Sequence, residues 1–165
     1  MVVILLADGF EELEALSPLD ILLREGIETK TVGITGKYVT GTHGVEVRAD
    51  LLPEEVDLDK IEGVIFPGGM PGALNLDASP FTNTVIEAGK RNGAHFGAIC
   101  AAPLVLGRRG MLKGHGATCF PGFEGELTGA SVIDAPVVTS ANITTARSYE
   151  AAFAFGKELA EILRG

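Results

Sequence analysis

Gly97-Ala98-Ile99-Cys100-Ala101-Ala102-Pro103 is the stretch from which the rest of the chain can be read. A short apolar run beginning at His95 meets a cysteine, then small residues, then a proline placed to open a helix. The pattern predicts a strand, a sharp turn carrying Cys100, and a helix. A thiol at the carboxyl end of a strand and the amino end of a helix meets unpaired backbone N–H groups and the positive end of the helix dipole, and both favour a thiolate. The small neighbours let the backbone turn tightly and leave the sulfur reachable. The arrangement is that of the strand–nucleophile–helix elbow of hydrolases, without the serine signature. A cysteine at a strand end also serves as a small buried hydrophobe, and the heptapeptide alone leaves both uses open.

Working outward, two other continuous apolar runs have the length of strands covered on both faces: Val2 to Leu6, expected to be central, and Val64-Ile65-Phe66. The first leads into Asp8 to Glu14, the second into Pro67-Gly68-Gly69-Met70-Pro71-Gly72. Between them, helical spacing runs from Glu11 to Leu16, and Ser17-Pro18 reads as the start of a second piece that Gly26 ends. Glu28 to Ile34 reads as a strand. Tyr38-Val39 and Val45-Glu46-Val47, around Gly41 to Gly44, read as a hairpin off the sheet. Pro53 to Ile61 is weakly helical; Ser79-Pro80 opens a helix that Gly93 closes.

After the cysteine come a helix from Pro103 to Arg109, a short strand from Ala117 to Phe120, an acidic loop from Pro121 to Gly129, strands at Val132-Ile133 and Val137 to Thr139, and a docking helix from Ala146 to Leu163. Strands alternating with helices predict a single α/β domain over residues 1–165. Its expected architecture is a three-layer α/β/α sandwich, flavodoxin-like, with a mostly parallel sheet and a β-hairpin excursion. In such a sheet ligands sit beyond the carboxyl ends of the strands. Asp8 to Glu14, Pro67 to Gly72 and Ala98 to Pro103 all fall on that edge.

Composition narrows the partners. With 22 acidic against 13 basic residues the net charge is −9, which works against nucleic acid and anionic membranes. The apolar runs are too short to span a bilayer. The start lacks a basic n-region and reads as a core strand rather than a signal peptide, so a soluble, cytoplasmic protein is expected. Cys100 and Cys119 have no metal-ligand spacing and read as two free thiols, Cys119 in the core; no metal site is expected. His95, at the far end of the Cys100 strand, and His115, in a Gly-flanked turn, are expected at the surface.

Gly9-Phe10-Glu11-Glu12-Leu13-Glu14, Pro67-Gly68-Gly69-Met70-Pro71-Gly72-Ala73, Asn75-Leu76 and Ala98-Ile99-Cys100-Ala101-Ala102-Pro103, in that order over nearly the whole chain, resemble the ThiJ/PfpI superfamily, and within it the DJ-one branch of Parkinsonism-associated, deglycase-like proteins. The resemblance implies that Cys100 is the nucleophile and Glu14 its acidic partner, a proton-sharing pair in which the thiol's apparent pKa falls and the acid's rises. Read from residues alone, Glu14 could equally be the solvated face of an acidic helix. The N–H groups of Gly68, Gly69 and Ala101 would form an oxyanion-type site; Gly-Gly is also simply a turn.

The resemblance further implies a homodimer and a small carbonyl substrate such as methylglyoxal, turned over without a cofactor by a glyoxalase or deglycase route. The alternative is a redox sensor or chaperone in which Cys100 is oxidised. Peptidase relatives carry a histidine after the cysteine; here Ala101 stands there, which disfavours peptidase or amidase chemistry. Phe120 replaces a histidine that some members carry before the proline, and the family's Ser-Arg-Gly-Pro-Gly-Thr loop is matched to Ser140 to Thr145, with Thr144 and Thr145 as candidate hydroxyl donors to the pocket. Arg24 and His43 occupy positions where the family places pocket arginines, the latter reaching a partner subunit.

Overall fold

The computed structural model describes all 165 residues. Its centre is a six-stranded sheet built from β1 (Val2–Leu6), β2 (Thr29–Gly33), β5 (Gly63–Phe66), β6 (His95–Ile99), β9 (Val137–Ser140) and β10 (Ile143–Ala146), in the order β2-β1-β5-β6-β10-β9. Every pairing is parallel except β10 with β9 at the edge. The alternation within β1 shows why the sheet is a middle layer: Val3 and Leu5 enter one apolar cluster, Val2, Ile4 and Leu6 the other, and all five are fully buried.

One face is covered by α1 (Glu12–Arg24) and α5 (Ala152–Leu163); the other by α2 (Gly72–Ala78), α3 (Pro80–Asn92) and α4 (Pro103–Gly107). Two small sheets stand apart: the antiparallel pair β3 (Tyr38–Thr40) and β4 (Glu46–Arg48), which is the expected hairpin, and the parallel pair β7 (Gly116–Ala117) and β8 (Ser131–Val132). No helix is long and apolar enough to cross a membrane.

Several elements differ from the sequence reading, each for a physical reason. Ser17-Pro18 does not start a new helix: α1 is continuous, with Pro18 inside it. The proline has no N–H to give the Glu14 carbonyl, but Ala15, Pro18, Ile21 and Leu22 are buried along one face. That face meets α5 where Gly156 has no side chain; a Cβ there would stand 2.7 Å from Ile21 Cδ1 and 3.0 Å from Pro18 Cα. Close packing outweighs the missing bond.

The segment Ala141 to Thr145, read as a loop, is a tight turn at Ala141-Asn142 followed by strand β10. Ala141 takes a left-handed φ of 52°. The turn lies at the amino end of β6, since Phe96 N–H donates to Asn142 O at 2.9 Å and Asn142 Nδ2 to Ala94 O at 3.0 Å. It is therefore on the edge opposite the cysteine. The docking helix accordingly begins at Ala152, after a short 3-10 turn, rather than at Ala146.

His95 is buried, contrary to expectation. Its Nε2 lies 2.8 Å from Thr144 Oγ1, which lies 2.8 Å from Thr139 Oγ1, whose hydroxyl in turn donates to Glu158 Oε1 at 2.8 Å. This chain of hydroxyls satisfies an imidazole that burial holds below its ordinary pKa.

Candidate active site

Residue 100 is where β6 ends and the chain reverses toward α4. Cys100 has φ 65°, a left-handed conformation rare for a residue with a side chain. Two backbone bonds hold it there: its N–H donates to Ala146 O and its carbonyl accepts from Phe120 N–H, both at 2.9 Å. The elbow is clamped between the end of β10 and the segment after β7. Its side chain is half-buried on the α1/α5 face, whereas Cys119 is buried in the cluster on the other face. The two thiols are separate chemical entities.

Glu14 reaches the cysteine from α1. It is fully buried, and its Oε2 accepts a hydrogen bond from Gly68 N–H at 2.9 Å. Its Oε1 has no well-aligned partner, and the side chain to which the carboxyl couples is that of Cys100. Gly68 must be glycine because a Cβ would fall 2.5 Å from Glu14 Oε2 and 2.7 Å from both Cys100 Cβ and Ile99 O. This corrects the expected role of Gly68: its N–H serves the Glu14 carboxyl. The donors that act on the Cys100 sulfur are the N–H groups of Gly69 and Ala101.

The electrostatics follow from burial. Burial pushes Glu14 up, the charge of Glu11 adds to this, and the Cys100 and Gly68 hydrogen bonds oppose it, leaving the carboxyl at about 7. The Cys100 thiol is pushed up to about 12, by burial first and then by the charge of an ionised Glu14, against the pull of the Ala101 and Gly69 N–H groups. Burial and the facing carboxylate thus work against the lowering expected from the elbow's N–H groups. Near pH 7 the pair passes from two protons to one as Glu14 ionises, and a protonated Glu14 removes a charge that helps to hold the thiol up. What the arrangement can do is pass that proton between sulfur and carboxyl as the sulfur forms or breaks a bond.

The hairpin closes over the start of α1: Gly9 N–H donates to Thr40 O at 2.8 Å and Thr42 N–H to Phe10 O at 2.9 Å. His43 then meets Glu12, its N–H donating to Oε1 at 2.7 Å and its Nδ1 to Oε2 at 2.8 Å, with Thr42 Oγ1 adding a bond at 3.0 Å. Burial alone would raise Glu12, yet these bonds hold it down at about 2, and the Glu12 hydrogen bond raises His43. Glu11, Glu12 and His43 present ligand atoms close together, but Glu12 is spent on holding the hairpin and Glu11 on capping α1, so nothing assigns the cluster to a metal.

The remaining candidates do not converge on Cys100. Arg24 is exposed in the last turn of α1, paired with Asp20 at 2.7 Å, roughly 15 Å along the helix from Glu14. Thr144 and Thr145 are fully buried in β10. The first is bonded to His95 and Thr139, and the second accepts from Thr118 N–H at 2.9 Å. Both hydroxyl oxygens are engaged within the fold rather than at the cysteine, where Thr144 and Thr145 were candidate donors. The segment that follows β10 on the cysteine's edge is Arg147-Ser148, with Arg147 paired to Asp134.

The sequence reading gave Glu11 no structural role. It is the N-cap of α1, its carboxylate accepting from Glu14 N–H at 2.8 Å. Glutamate is not among the side chains that signal a cap; its position three residues before Glu14 was the available clue.

Comparison with known proteins places this geometry. A family model described as the DJ-1/PfpI family matches residues 1–162. The chain is 34% identical over 168 residues to a deglycase of Thermococcus kodakarensis, covering 99% of each. It is 32% identical to the protein dj-1beta of Drosophila melanogaster, covering 98% of this chain and 88% of the other. Among solved structures, a DJ-1 superfamily protein from Salmonella typhimurium superposes with a TM-score of 0.93 at 32% identity, covering 99% of this chain and 90% of that one.

Proposed function

Because the chain belongs to the DJ-1/PfpI family, we propose that it is a cysteine-dependent enzyme that acts on small reactive dicarbonyls or their adducts, by a glyoxalase or deglycase route. The observation that carries this reading is the buried Glu14 carboxyl, poised near neutrality beside a half-buried Cys100 on a strained elbow. Deglycase-named relatives at about a third identity support the general class.

In the proposed cycle on methylglyoxal, ionised Glu14 takes the thiol proton as Sγ bonds to the aldehyde carbon and the carbonyl π pair moves to oxygen. The N–H groups of Gly69 and Ala101 stabilise the developing charge around the sulfur and the new oxyanion. Glu14 returns the proton to that oxygen, giving a hemithioacetal. Removal of the remaining hydrogen on that carbon and reprotonation at the neighbouring carbon yields a lactate thioester, which one water hydrolyses to lactate and free Cys100. The sum is methylglyoxal plus water to lactate. Every proton passes through one carboxyl, and the steps call for no cofactor. The protein would work in the cytoplasm as a homodimer, in which His43 would face the partner's site.

Incubation with methylglyoxal in the absence of glutathione should yield lactate, and Cys100→Ala should abolish it. Lactate formation unchanged in Cys100→Ala overturns the proposal.

A second reading uses the same residues. The unpartnered Oε1 of Glu14 would bond an oxygen of a Cys100 sulfinate, making the site a peroxide sensor. Addition of two oxygens at Cys100 after mild peroxide, in a protein that makes no lactate, favours this reading; modification of Cys119 alone removes it.

A further inference from the structure

Three hydrogen bonds at the base of the site close on themselves. Glu11 N–H donates to Gly68 O at 3.0 Å, Gly68 N–H donates to Glu14 Oε2 at 2.9 Å, and Glu14 N–H donates to Glu11 Oε2 at 2.8 Å. Each residue gives its backbone N–H to the next, and the ring ties the start of α1 to the loop after β5. Gly68 is locked into it, since no Cβ fits there. The Glu11 carboxylate is consequently held one helical turn from Glu14, at the amino end of α1, where the helix dipole favours a negative charge. A cap needing only a hydrogen-bond acceptor is served better by Ser, Thr, Asp or Asn.

We propose that Glu11 is a positioning residue for the Cys100–Glu14 pair: its carboxylate anchors the Glu14 backbone, and its charge, fixed in place by the ring, sets the pH at which Glu14 gives up its proton. The titratable groups acting on Glu14 are few. α1 contributes Glu11 and the elbow contributes Cys100; the loop after β5 contributes only the Gly68 N–H. On the hairpin, His43 is tied to Glu12, and no group of α5 acts on Glu14. Glu11 is thus a fixed charge that opposes ionisation of the carboxyl. The proposal rests on the functional reading only in taking Glu14 as the acceptor of the Cys100 proton.

Two variants separate charge from capping. Glu11→Gln keeps a carbonyl acceptor for Glu14 N–H and removes the charge, whereas Glu11→Asp keeps both. The readouts are the 13C carboxyl shift of Glu14 against pH and the rate at which iodoacetamide alkylates Cys100, followed by mass spectrometry. In Glu11→Gln the Glu14 midpoint should fall by about one pH unit, the order expected for losing a like charge one turn away. Alkylation should then rise about fivefold at pH 6 and match the wild type above pH 8, while Glu11→Asp keeps the wild-type midpoint. An unshifted midpoint in Glu11→Gln, or an equal shift in Glu11→Asp, overturns the proposal. Neither readout uses a dicarbonyl, so a protein that makes no lactate leaves the role of Glu11 standing, and an unshifted midpoint leaves the lactate reading standing.

Discussion

Replacing Glu14 by glutamine should make the protein more stable at alkaline pH than at acid pH relative to the wild type. The unfolded chain titrates Glu14 at an ordinary 4.5, the folded protein at about 7. Between those values the folded state keeps a proton that the unfolded state has released. The contribution of Glu14 to stability is therefore fully present below pH 4.5 and lost as pH rises through 7. A displacement of that size corresponds to about 3 kcal/mol. The glutamine side chain cannot ionise, and its carbonyl can still accept from Gly68 N–H while the amide group faces Cys100. Urea unfolding of both proteins at pH 4.5, 6, 7 and 8 isolates the effect, because groups that do not touch Glu14 cancel in the difference and the Cys100 thiol stays protonated over most of this range. The stability of the variant minus that of the wild type should grow by about 3 kcal/mol from pH 4.5 to 8, most of it between 5 and 7. A difference that stays constant with pH, or that shrinks toward alkaline pH, refutes burial as the force acting on Glu14.

Two further substitutions probe the elbow and its neighbour. Cys100→Gly should be more stable than Cys100→Ala by about 1 kcal/mol, because glycine adopts the left-handed φ of 65° without strain; thermal midpoints of the two variants measure it, and equal midpoints deny the strain. Gly68→Ala forces a methyl against Glu14 Oε2, Cys100 Cβ and the Ile99 carbonyl and should destabilise by about 1–3 kcal/mol while abolishing turnover, which chemical denaturation and the lactate assay read together.

Much of this fold is written in simple patterns. β1, β5 and β6 are uninterrupted apolar runs whose alternate residues fill two clusters, and such runs need no tertiary knowledge to find. β10 escaped because Ile143-Thr144-Thr145-Ala146 is short and half threonine, and what makes it a strand is remote: hydroxyl partners at His95, Thr139 and Thr118. α1 was cut at Ser17-Pro18 because local chemistry favours a start there, while its continuity is decided by Gly156 on α5.

The site divides in the same way. Cys100 on a strand-to-helix turn is legible from seven residues. Its pairing with Glu14 came from resemblance alone, since no spacing rule joins residues on different elements. Gly68 and Gly69 looked interchangeable as donors, and only the fold separates them: the Gly68 N–H donates to the Glu14 carboxyl, while the Gly69 N–H acts to lower the Cys100 thiol. The helix amino end that favours a thiolate at Cys100 is visible in sequence, whereas the burial and the facing carboxylate that oppose it are not.

The most direct measurement of the central claim is kcat/KM for conversion of methylglyoxal to lactate against pH, in the wild type and Cys100→Ala side by side. If Cys100 attacks the aldehyde while ionised Glu14 takes its proton, the wild-type value rises about tenfold per pH unit below 7 and levels off above it, and Cys100→Ala shows no lactate at any pH. A wild type that makes no lactate between pH 6 and 8.5, or a Cys100→Ala variant that follows the wild-type curve, would contradict the account.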